Sequence, residues 1–149
     1  MPPQILPEFL QAFTGENLEL ASSQGAILAS VDAEGWPHQA YLSAGEILAQ
    51  NTRLSIALWP GSRTTANITQ QGRAVLYTAA GGSIWEARLQ LTRRPAEGDG
   101  PAIFDGEIVE TRRHAAPYAE VISLLDFRLL DSQDTLQRWA KQIALLRGG

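Results

Sequence analysis

The segment Trp59-Pro-Gly-Ser-Arg-Thr-Thr-Ala-Asn67 puts Ser62, Arg63 and Thr64 where a helix is expected to begin. Serine is a favoured N-cap, and the first N–H groups of a helix have no partner within it, so they attract anions. Arg63 in the first turn opposes the helix macrodipole by roughly 0.3–1 kcal/mol when exposed. Thr64, Thr65 and Thr69 are mediocre helix formers. A bound anion would compensate. Free N–H groups, the Ser62 and Thr64 hydroxyls and the Arg63 guanidinium can together hold a phosphate. The competing reading makes Ser62 only a cap and Arg63 a solvated side chain, and the local residues weigh the two about evenly. The wider charge pattern favours the anion. No Asp or Glu occurs between Glu46 and Glu86, and this window carries Arg53, Arg63 and Arg73, giving +3 in a chain of net charge −4. The stretch is not a Walker P-loop, because the Gly-Lys-Ser/Thr spacing is missing.

Other chemistry is sparse. His38 and His114 are far apart and lack ligand spacing, so no metal site is expected. Ser43 has neither a histidine partner nor a Gly-x-Ser-x-Gly elbow, and reads as a strand residue able to touch a ligand. Asp105, Glu107 and Glu110 form no defensible acid–base pair and read as a solvated face. Trp36, Trp85 and Trp139 read as core or interface residues, while Trp59 stands directly before the anion candidate. The only lysine, Lys141, falls in an expected amphipathic helix, which argues against Schiff-base catalysis. If the chain is an enzyme, a cofactor is expected to carry the chemistry.

At 149 residues, 44% of them hydrophobic and 19% charged, the chain fits one globular domain with a real core. Its acidic balance argues against nucleic acid as the main partner. No apolar run is long enough to span a bilayer, Met1 to Leu10 lacks the features of a signal peptide, and cysteine is absent. A cytoplasmic location is the expectation.

The elements that must position these residues follow from periodicity and turn chemistry. Pro7 to Phe13 suits a short helix within an N-terminal helical extension over 1–24. Gly25 to Val31 reads as a buried strand, Asp32-Ala-Glu-Gly35 as a turn, and His38 to Ile47 as the returning strand. The alternation puts Ala40 and Leu42 on one face of that strand, Tyr41 and Ser43 on the other. Arg53 to Trp59 is a third strand, followed by a helix from Ser62 to about Gln70 that Gly72 ends. Arg73 to Ala79 and Ser83 to Thr92 form a hairpin about Gly81-Gly82, with Pro95 to Pro101 a loop. Ala102 to Arg113 fits a helical stripe of Ile103, Phe104, Ile108 and Val109 slightly better than a strand, although Gly106 weakens both. Glu120 to Leu130 reads as a last strand. A helix over 132–147, capped by Ser132 or Asp131, carries Leu136, Trp139, Ile143 and Leu146 on one face. The expected fold is one domain over 1–149, mainly β, a small antiparallel barrel of five or six strands with peripheral helices.

The hairpin Ala26-Ile-Leu-Ala-Ser-Val-Asp-Ala-Glu-Gly-Trp-Pro-His38, the strand through Leu42-Ser43, and Leu58-Trp-Pro-Gly-Ser-Arg-Thr-Thr-Ala-Asn67 together resemble a known family. That family is the pyridoxamine 5′-phosphate oxidase-like, FMN-binding split β-barrels. The stretch from Tyr118 to Leu146 looks like the tail of its short members, so the resemblance runs from about Gly25 onward. It implies that Ser62, Arg63 and Thr64 contact the flavin phosphate, and that Leu42, Ser43, Leu58 and Trp59 lie along the isoalloxazine and ribityl groups. It also implies a homodimer with the cofactor at the subunit interface, acting as an oxidoreductase on a small molecule. The basic residues that full-length oxidases use for FMN and for substrate phosphate are largely unmatched here, and their C-terminal substrate motif is absent. The resemblance therefore does not extend to pyridoxamine phosphate oxidation. The alternative it leaves is a non-catalytic or stress-related split-barrel protein holding FMN, haem or no ligand.

Overall fold

The computed structural model describes residues 7–11, 13–19, 25–50, 53–96 and 98–148. Its elements in chain order are α1 (Glu8–Gln11), β1 (Gly25–Val31), β2 (Pro37–Ser43), β3 (Ile47–Gln50), β4 (Arg53–Leu58), α2 (Arg63–Gln71), β5 (Arg73–Ala80), β6 (Ser83–Arg93), β7 (Ala102–His114) and α3 (Ser132–Arg147). Of the N-terminal extension expected over 1–24, residues 1–6, 12 and 20–24 lie outside the described residues.

The seven strands form one sheet in the order β2-β1-β5-β6-β7-β4-β3, and every pairing is antiparallel. The two edge strands, β2 and β3, are consecutive in sequence and separated only by Ala44, Gly45 and Glu46. So short a link forces the sheet to curl until its edges meet at one corner, which makes a split barrel. Alternation supplies the interior. Ala26 and Leu28 of β1, Leu76 of β5, Ala87, Leu89 and Leu91 of β6, and Phe104 of β7 are all buried in one core cluster. Phe9 of α1 stacks on Trp85 at 4.9 Å and plugs one end of this interior.

Three sequence expectations change. The strand expected from His38 to Ile47 ends at Ser43, because Glu46 N–H bonds back to the Ser43 carbonyl at 3.1 Å and turns the chain into β3. Ala102 to His114 is a strand. Leu89 faces Ile108 while Arg88 faces Glu110, so Val109 has no partner and forms a β-bulge. Both faces of the strand carry apolar residues, Ile103 packing beneath α3 and Phe104 and Ile108 in the barrel core, which is how a strand came to mimic a helical stripe. Glu120 to Leu130 joins no strand. Its Val121 N–H reaches the Gly82 carbonyl at 2.8 Å, and Leu125 and Phe127 lie over Gly25, so side chains pack while the backbone stays outside the sheet.

α3 lies against β3 and β4 and buries Trp139, Ile143 and Leu146. Gly45 allows this approach, since a Cβ there would lie 2.1 Å from Trp139 Cγ. Gln142 Nε2 donates to the Gly45 carbonyl at 2.9 Å. The closing corner of the barrel is therefore braced by the C-terminal helix.

Candidate functional site

The strand β4 ends at Leu58, and four residues later α2 begins with Ser62 as its N-cap. Ser62 Oγ accepts the Thr65 N–H at 3.1 Å and lies 3.0 Å from Thr65 Oγ1. Thr65 Oγ1 donates to the Trp59 carbonyl at 2.5 Å. Its one proton is thereby committed, so the Ser62 hydroxyl is the donor of the pair. Ala66 N–H bonds to the Ser62 carbonyl at 3.2 Å. The N–H groups of Arg63 and Thr64 have no acceptor among the described residues, and no acid occupies the first turn. Thr64 is almost enclosed at 2% exposure, so Ser62 and Arg63 form the open part of this helix end. The Arg63 guanidinium is exposed and makes no ion pair among the described residues. Asn67 Nδ2 donates to Ser30 Oγ at 3.0 Å, both groups buried, and fixes α2 on β1. The N-cap, the αL Gly72 at the other end and the helix span all follow the sequence expectation.

The other expected contacts gather at the barrel corner. Ala57 N–H donates to the Glu46 carbonyl at 2.9 Å, which brings the end of β4, with Leu58 and Trp59, beside the turn after Ser43. Leu42 and Leu58 are 3% and 5% exposed and face the core, leaving mainly their backbones for a ligand. Trp59 stands 80% exposed. Ser43 lines a cleft of about 350 Å³ with Tyr41, Leu42, Glu46 and Phe127.

Glu46 is the residue the sequence reading missed. Its Oε1 accepts from Ser43 Oγ at 2.7 Å and from Ser43 N at 3.1 Å. Burial pushes its carboxyl above the ordinary glutamate value, while the Ser43 hydrogen bonds partly oppose the rise. The Ser43-Ala-Gly-Glu46 spacing is that of a capping box, and it signals this side-chain-closed turn although no helix follows.

Asp105 departs from its expected place on a solvated face. Arg94 grips it bidentately, Nε to Oδ2 and Nη2 to Oδ1 both at 2.8 Å, and Ser55 Oγ donates to Oδ1 at 2.7 Å. Arg53 Nε stands 3.6 Å from the same oxygen. Burial alone would raise this carboxyl; the hydrogen bonds from Arg94 and Ser55 and the charges of Arg94 and Arg53 outweigh it and hold it low. Arg94 also donates to the carbonyls of Leu145 and Leu146, at 3.3 and 2.9 Å. This cluster ties the last turn of α3 to the sheet. Glu107 and Glu110 remain exposed, Glu110 meeting Arg88 at 3.4 Å. The three arginines of the acid-free window thus separate, Arg53 to Asp105, Arg63 to the start of α2 and Arg73 to the outer face of β5. They do not form one basic patch.

No protein-family profile matches the chain. A curated Bacillus subtilis protein, the uncharacterised YclD, is 31% identical over 137 residues, covering 89% of each chain. The chain belongs to the YclD family. Solved structures extend the likeness at the level of fold. A Lactobacillus delbrueckii protein provisionally described as a pyridoxamine 5′-phosphate oxidase matches with a TM-score of 0.52 at 17% identity, over 72% of this chain and 93% of its own. An FMN-binding protein from Syntrophomonas wolfei matches with a TM-score of 0.50 at 13% identity, over 72% and 88%. The fold of this YclD-family chain is that of the pyridoxamine 5′-phosphate oxidase-like split barrels, as its sequence motifs implied. Among the described residues no helix is long and apolar enough to cross a membrane.

Proposed function

We infer that this protein is an FMN-binding flavoprotein of the cytoplasm that works as a homodimer and carries out redox chemistry on a small molecule. The observation that carries the reading is the start of α2, where Arg63 is unpaired among the described residues and no acid complements the helix dipole. That donor set fits a phosphate monoester. The Arg63 guanidinium and N–H would hold its oxygens, and the Ser62 hydroxyl would turn from Thr65 toward them. Thr64 would add its N–H from the enclosed side. The backbone of Leu42, Ser43 and Leu58 and the exposed Trp59 ring would line the route from the phosphate to the corner cleft.

Bound FMN would supply two-electron redox chemistry at its isoalloxazine. The chain's own contribution is to orient and shield. Ser43 is held by Glu46, and the corner is stiffened by Gly45 against Trp139. A structural neighbour described as FMN-binding supports the cofactor. Tyr118, Ile122 and Leu130, each at least 90% exposed, support a second copy of the chain as their cover.

The test is a fluorescence titration with FMN. Wild-type protein is expected to bind it and to turn yellow. Arg63→Ala should weaken binding about ten- to a hundredfold, the worth of one charge-assisted contact. Arg138→Ala, on the exposed face of α3, should leave it unchanged. Equal affinities for wild type and Arg63→Ala would place the phosphate elsewhere. A Soret band in the purified protein would favour haem, and a colourless protein indifferent to FMN would sink the flavin reading.

A further inference from the structure

A groove of about 480 Å³ crosses the outward face of β1, β5 and β6, on the side of the sheet away from the core. Strand alternation builds its floor. Ala29 pairs with Val75 and Val75 with Arg88, all pointing outward, while Ser30, Ala74 and Leu89 turn inward. Val31, 46% exposed, extends the apolar floor at one side. The bulge residue Val109, 60% exposed, extends it at the other.

The polar groups on this floor are sorted by charge. Arg88 is neutralised, with Glu86 at 3.7 Å and Glu110 at 3.4 Å. Arg73 makes no ion pair or side-chain hydrogen bond among the described residues, and no carboxylate lines the groove. It sits directly opposite Gln90 and follows Gln71 by two residues, so two neutral amides flank its guanidinium. One uncompensated guanidinium, two amides and an aliphatic floor are complementary to one class of ligand. We propose that this groove binds a small organic carboxylate with a compact apolar body, its carboxylate on Arg73 and its body over Ala29, Val75 and Val109. A single uncompensated cation on a chain of net charge −4 does not suit a polyanion. The site is separate from the start of α2, because Arg73 lies beyond the far end of that helix.

The experiment is an amide NMR titration of the full chain with 3-phenylpropanoate and, in parallel, the uncharged 3-phenylpropanol. The expected result is saturable shifts at residues 29–31, 73–75 and 88–90 with the acid, and affinity about tenfold or more weaker for the alcohol. Arg73→Gln should weaken the acid by a similar factor. Gln90→Glu, which sets a carboxylate across from Arg73, should do the same while the remaining spectrum keeps its dispersion. Absence of shifts at millimolar acid, shifts confined to other residues, or equal affinity for acid and alcohol would each overturn the assignment. So would wild-type affinity in both variants.

Discussion

The two long helices begin in opposite electrostatic states. α3 starts from Asp131, whose carboxylate accepts the Asp134 N–H at 3.1 Å, and Asp134 adds a second negative charge to the first turn. At its other end Arg147 stands in the last turn and Arg94 donates to the Leu145 and Leu146 carbonyls. α2 starts from a neutral serine, places Arg63 in its first turn, and has no basic residue in its last. Each terminus of α3 is complemented by the chain itself. α2 is left incomplete at the end where partial positive charge accumulates. A helix finished internally serves as scaffold, and one left unfinished has an opening for a ligand.

The largest disruption of this contrast is Arg94→Ala. It should remove the completion of α3 and take from Asp105 its bidentate partner, costing about 3 kcal/mol in denaturant unfolding. A loss below roughly 1 kcal/mol would mean that packing of Trp139, Ile143 and Leu146 alone holds the helix.

Acidity separates two carboxyls on the α3 side of the barrel by sign. Asp105 has a depressed carboxyl, so its contribution is present above the ordinary aspartate value and is lost as pH falls through the depressed one. Glu46 has a raised carboxyl, so its contribution is present below the ordinary glutamate value and is lost as pH rises through the raised one. Unfolding measured across a pH series should therefore show a shallower acid limb in Asp105→Asn and a shallower rising-pH decline in Glu46→Gln. Unchanged profiles would dissociate these two carboxyls from stability.

The smallest effect is the most pointed. Without ligand, Arg63→Glu should stabilise the protein by about 0.3–1 kcal/mol, because a carboxylate suits the start of α2. Asp134→Lys should destabilise it by a similar amount. If both move stability in the same direction, the difference between the helix ends is not electrostatic.

What the sequence disclosed tracks how local each signal is. The Asp32-to-Gly35 turn, the Ser62 cap and Gly72 stop of α2, and the Asp131 cap of α3 are written within a few residues, and the structure places them as expected. The break between β2 and β3 is written in the Ser43-to-Glu46 spacing, but the alternation of a strand runs through it and hides the signal, while its bracing by Trp139 on Gly45 comes from almost a hundred positions away. The role of Asp105 required Arg94 and the last turn of α3 to converge. Glu120 to Leu130 has a strand's composition, but composition names no neighbour, and the backbone there joins no sheet. For the candidate site, the α2 half was legible at once, while the Ser43-to-Glu46 spacing was masked by the strand alternation around it.

The placement of β7 also governs how the chain assembles during synthesis. β3 and β4 pair locally as soon as Leu58 has been made, yet among the described residues the strand pairing that joins them to the remaining sheet is β4 against Ala102–Gly106 of β7. β1, β2, β5 and β6 can join one another by Arg93, long before that strand exists. A growing chain therefore carries a half-built sheet and an orphan hairpin side by side until β7 leaves the ribosome and staples them together.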